Sequence, residues 1–120
     1  MKIVIFLLLS ILLFSQNISW QGDYNKALAL AKKEKKKLIV LIVKRDKLST
    51  KVIKSFNKQK GISNRYIFYL GLFDTNYPIE LYYTTKFPTL FIVEPKNEIF
   101  IYKPLYKENI LKRLPFVLNQ

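Results

Sequence analysis

Apolar and polar positions fall into blocks along this chain, and each block carries one of two periods. In "DYNKALALAKKEKKK", Tyr24, Ala27, Leu28 and Ala31 recur at i, i+3, i+4 and i+7. That spacing puts them on one face of a helix and leaves lysine on the others. Asp23 stands immediately before it and is suited to cap its N-terminus. "LIVLIV", Leu38 to Val43, has no polar face, as a central parallel strand covered on both sides requires. The helical period returns with Leu48, Val52, Ile53 and Phe56, and Gly61 offers a stop. "RYIFYLGLF", Arg65 to Phe73, predicts a second buried strand, and "DTNYP" is turn chemistry. "IELYYTT" has room for one or two helical turns. "TLFIVE" and "EIFIY", separated by Pro95, Lys96 and Asn97, predict a β-hairpin. "YKENILKRL" closes the pattern as a helix with Ile110, Leu111 and Leu114 inward, which Pro115 ends or kinks.

The predicted order is therefore α, β, α, β, short α, β, β, α. Two strands joined by a helix run parallel through a right-handed crossover, whereas the last two form an antiparallel hairpin. The result is an α/β domain: a four-stranded mixed sheet flanked by helices on both faces. A chain of 120 residues has room for one such domain, and it occupies residues 20–120.

Residues 1–19 follow another pattern. Met1-Lys2 is a short positive start, Ile3 to Phe14 is apolar but for Ser10, and "SQNIS" is small and polar. This is the three-part form of a secretory signal peptide. The apolar run is shorter than the ~20 residues that span a bilayer as a helix. The segment predicts export, to the periplasm, with cleavage near Ser19; the alternative is an uncleaved membrane anchor.

Composition narrows the chemistry. There is no cysteine and no histidine, which removes thiol chemistry, Cys-based metal sites and the commonest general base and metal ligand. The eight carboxylates stand at no motif spacing, and neither a catalytic residue nor a metal or cofactor is expected. The net charge is +13, and eighteen of the 21 basic residues are lysine. Two readings of that excess stay open: a surface for anionic partners, and coding bias in a chain rich in Lys, Ile, Phe, Tyr and Asn. Nucleic acid is not an expected partner of an exported protein.

At Phe87-Pro88-Thr89-Leu90 the sequence resembles a known family. An X-Pro-Thr followed by an apolar strand and a hairpin is similar to the cis-proline loop of the thioredoxin fold, and the element order above resembles that fold with an extra N-terminal helix. Trp20, followed by "ALALAKKEKK" and a lysine-rich approach to the first strand, resembles the start of exported thioredoxin-like proteins. The resemblance implies a Cys-x-x-Cys at the corner after the first strand. Here that window reads Lys47-Leu48-Ser49-Thr50, with Lys51 next. The chemistry it implies needs a thiolate held at a helix N-terminus, and lysine there has the wrong charge for the helix dipole. Ser49 or Thr50 is better suited to cap the helix.

Two binding surfaces follow as expectations. By the resemblance, an extended polypeptide would lie beside Pro88 and pair with the backbone of Phe87, with Thr89 next to it. Separately, Lys47, Lys51, Lys54 and Lys58 fall at i, i+4, i+7 and i+11 on one helix face. That row is either a solvated surface or a strip for anionic lipid or glycan.

Overall fold

The computed structural model describes residues 18–59, 61–75 and 77–118. The expected leader, residues 1–19, lies outside them except for its last two. Six strands and three helices make up the described chain: β1 (Trp20–Gln21), α1 (Tyr24–Glu34), β2 (Lys37–Val43), α2 (Lys47–Asn57), β3 (Tyr66–Leu72), β4 (Thr89–Glu94), β5 (Ile99–Phe100), β6 (Leu105–Tyr106) and α3 (Glu108–Leu118). The strands form one sheet in the order β1-β3-β2-β4-β5, with β6 also paired to β4. β2 is central and parallel to β3, as the sequence predicts; it also pairs antiparallel with β4.

The side chains of β2 alternate strictly between two cores. Ile39, Leu41 and Val43 join Val52 and Phe56 of α2 and Ile110, Leu114 and Leu118 of α3. Leu38, Val40 and Ile42 join Ala27 and Ala31 of α1, together with Tyr77 and Tyr82. β3 and β4 divide the same way: Phe68 and Ile92 face the first core, Tyr69 and Phe91 the second. This is the period-two geometry of a sheet covered on both faces. It explains why "LIVLIV" has no polar position.

Local chemistry sets the helix ends. The Asp23 carboxylate accepts from the Lys26 N–H at 3.1 Å and caps α1. Lys35, left-handed at φ 56°, ends it, with its N–H turned back to the Ala31 and Lys32 carbonyls. α3 continues through Pro115 to Leu118. Its end is held by the Tyr66 hydroxyl, which donates to the buried Leu118 carbonyl at 3.0 Å.

Four details differ from the pattern reading. There are six strands rather than four: β1 and β6 are two residues each, too short to show a period. The second hairpin strand keeps only Ile99–Phe100 of "EIFIY"; the Ile101 N–H still donates to the Ile92 carbonyl at 2.8 Å, and further on the chain pairs with β4 again as β6. "IELYYTT" forms turns, not a helix; Tyr82 fills the second core there while Tyr83 lies outside. α2 ends at Asn57, four residues before Gly61, whose φ of +79° serves the following turn.

Candidate functional site

The C-terminal ends of β2 and β3 and the start of β4 meet at one end of the sheet. Ile42 is paired with Thr89 and Val43 with Leu72, so continuing the first register by one residue sets Pro88 opposite Val43. The Phe73 N–H donates to the Val43 carbonyl at 2.8 Å, and Arg45 and Asp74 form an ion pair at 2.6 Å between the two loops. The Phe87 ring tilts against Phe73 at 5.6 Å between centroids.

At the corner after β2, Asp46 caps α2: its carboxylate accepts from the Ser49 N–H at 2.8 Å. The cap is therefore neither Ser49 nor Thr50, as the sequence suggests. Ser49 is buried, and its Oγ accepts instead from the Lys44 N–H at 3.3 Å, closing the turn from the other side. Thr50 lies one turn in, and its hydroxyl donates back to the Asp46 carbonyl at 3.1 Å. Asp46 precedes the helix by one residue and so has the extended backbone of a cap; Ser49 and Thr50 are already helical. The Ser49 amide holds the Asp46 carboxyl below the ordinary carboxylate range, helped by the charges of Lys44 and Lys107.

Of the four corner positions, Lys47 and Thr50 are exposed, Leu48 is half-buried and Ser49 is buried. Lys47, Lys51 and Lys54 line an open depression of about 720 Å³ together with Arg45, Asp46 and Thr50. The structure brings these three lysines together. Lys58, beyond the last turn of α2, does not line the depression. Arg45 joins the group and escapes the periodicity, because it belongs to the loop and not to the helix.

The Phe87–Pro88 peptide is cis. Thr89 is fully buried, and its hydroxyl, like that of Thr84, bonds to the Lys86 carbonyl. It shapes the loop and does not face solvent. The Pro88 carbonyl accepts from the Lys107 N–H at 2.9 Å, so the chain just before α3 also buttresses this loop. Phe87 is half-buried, and among the described residues neither its N–H nor its carbonyl has a hydrogen-bond partner. Lys107, Phe73 and Asp74 carry no sequence signal that ties them to the site; the sheet alone brings them there. Among the described residues no group of three or more Asp, Glu, His or Cys could hold a metal ion.

A central parallel pair, an antiparallel hairpin, helices on both faces and a proline loop at the end of the sheet define the thioredoxin fold. Comparison with solved structures agrees. The chain is similar to a thioredoxin from Thermus thermophilus, with a TM-score of 0.68 and 20% identity over 87% of this chain and 86% of that one. It is also similar to a DsbH oxidoreductase, with a TM-score of 0.54 and 14% identity over 86% of this chain and 85% of that one. No family model matches the sequence, and no curated protein does. The chain thus has the thioredoxin fold without a cysteine anywhere in its sequence.

Proposed function

We propose that this is an exported, redox-inactive thioredoxin-fold protein that receives an extended polypeptide beside Pro88. The observation that carries the reading is Phe87. Phe87 is a half-buried residue at the open end of the sheet. Its backbone N–H and carbonyl have no partner among the described residues, so they are free to pair with a ligand. An added strand supplies a donor and an acceptor at that spacing. Phe73, 43% exposed, and Phe87 give a ligand side chain an apolar wall. None of this uses a thiol, so binding is independent of the missing chemistry. Export rests on the leader pattern of residues 1–19; among the described residues no helix is long and apolar enough to cross a membrane.

A second reading is a basic envelope protein that meets anionic lipid or glycan through Lys47, Lys51, Lys54 and Lys58. The depression beside α2 favours it, since Lys47, Lys51, Lys54 and Arg45 line it against one acid, Asp46, with Lys58 outside it. A library of extended peptides, screened against the protein at low and high salt, separates the two. The groove reading expects apolar peptides whose binding survives high salt and is weakened by Phe87→Glu, while Lys54→Gln with Lys58→Gln changes little. Capture that disappears at high salt and ignores Phe87→Glu would sink it. Redox inactivity is checked separately with insulin, whose disulfides this protein should leave intact. Reduction above the uncatalysed rate by the purified protein would overturn that part.

A further inference from the structure

The opposite end of the sheet carries a second basic surface. α1 ends there, β2 begins there, and the β4–β5 turn closes over both. Lys32, Lys35, Lys36, Lys37 and Lys96 surround a depression of about 490 Å³ floored by Ala31 and Pro95. Two acids are near, and both are occupied. Glu34 pairs with Lys36 at 3.0 Å. The Glu94 carboxylate accepts from the Lys96 N–H at 3.1 Å and the Asn97 N–H at 2.9 Å, so the turn uses both its oxygens. Among the described residues the other four lysines have no ion pair.

The path of the chain says what faces this pole. β1 and β3 are parallel with Trp20 paired to Phe68, and stepping back two residues sets Ile18 level with Tyr66, the partner of Lys37. Ile18 packs on the core there, so the chain joins the domain at the lysine pole. Only Ser15, Gln16 and Asn17 separate it from the apolar run Ile3 to Phe14. Four residue steps span at most roughly 14 Å, comparable with a Debye length of about 10 Å at 0.1 M salt. Where that run stays in lipid, the short link holds this end of the sheet, and its lysines, toward the headgroups.

We infer that the Lys32–Lys37 and Lys96 pole docks on an anionic lipid surface, which turns the Phe87 end of the sheet away from the bilayer. The inference rests on the alternative in which residues 1–19 stay attached as a membrane anchor, and it is independent of what the groove binds. A cysteine-free chain allows a clean test. The full chain, carrying Asn97→Cys or Thr50→Cys with an environment-sensitive label, is added to vesicles of neutral lipid alone or with about a third phosphatidylglycerol. On anionic vesicles the label at position 97 is shielded from an aqueous quencher and the label at position 50 is not; on neutral vesicles both stay accessible. K32Q/K35Q/K37Q/K96Q abolishes the shielding and K47Q/K51Q/K54Q/K58Q leaves it. Each lysine lost from the pole lowers affinity for anionic vesicles by about fivefold, the equivalent of about 1 kcal/mol. Equal accessibility of the two positions on anionic vesicles overturns the inference, and so does loss of shielding by the α2 variant alone. Association with neutral vesicles reports on the leader separately, so failure there does not imitate failure of the pole.

Discussion

Asp46 shows how one side chain positions a corner. Its carboxylate satisfies the Ser49 N–H, so Asp46→Ala lowers stability by about 1 kcal/mol. The folded state depresses its pKa, so its contribution is present above the ordinary carboxylate range and is lost as pH falls through the folded value. Urea melts of protein and variant at about pH 7 and about pH 3 check this, with the difference shrinking at the lower pH. The Tyr24 and Tyr82 hydroxyls meet at 2.6 Å, with Tyr82 fully buried and Tyr24 half-buried. Burial pushes the Tyr24 phenol up to about 12 and Tyr82 higher still. A raised folded pKa means that the stability is complete below about pH 10 and declines above it, a window that for Tyr24 closes at about 12. The pair is asymmetric under mutation. Tyr24→Phe strands a buried hydroxyl and costs about 1–3 kcal/mol. Tyr82→Phe leaves a hydroxyl that water can reach, so denaturant melts should rank Tyr24→Phe as the more damaging.

Among the elements, α2 and α3 depart most from what local propensity favours. Lys47 opens α2 against the helix dipole, where a thiolate would be stabilised. Lys47→Cys with Thr50→Cys should place a low-pKa thiol at position 47 and form a reversible disulfide. Thiol titration checks it, and a pKa at the ordinary value of about 8.5 would show that this corner does not support the chemistry. In α3, Pro115 removes one helical hydrogen bond, yet the helix continues because Leu118 is buried and its carbonyl is tied to Tyr66. Pro115 itself is exposed. Pro115→Ala therefore restores the bond without crowding the core and should raise stability by about 1–3 kcal/mol in a thermal melt.

At the scale of the molecule, charge is the dominant imbalance. Against a net +13 there are two ion pairs among the described residues, Lys36–Glu34 and Arg45–Asp74. Lysines collect at both ends of the sheet, and like charges repel in the compact state. Added salt screens that repulsion. Relief of about 1 kcal/mol would raise Tm by roughly 4–8 °C, measured between low and moderate salt. A Tm that falls with salt would mean that attraction outweighs repulsion in this charge distribution.

The sequence by itself determined the fold class, the central place of Leu38–Val43, the hairpin after Pro88 and the helix faces of α1 and α2, because burial on one or both sides leaves a period that can be read. It also determined that no thiol stands at the corner after β2. Shorter or non-periodic features escaped it. β1 and β6 are too brief for a period, and "IELYYTT" has helical residues that packing of Tyr82 holds in a turn. Asp46 caps α2 in place of Ser49 or Thr50, a choice that depends on where the helix starts to within one residue. The candidate site was legible as two separate strings, Lys47–Thr50 and Phe87–Thr89. Only tertiary structure joined them, through the pairing of Ile42 with Thr89. It also supplied Phe73, Asp74 and Lys107 from elsewhere in the chain, turned Thr89 inward and left the Phe87 backbone unpaired. Pairing across strands links residues far apart in sequence, and that information resides in register, which no local pattern contains.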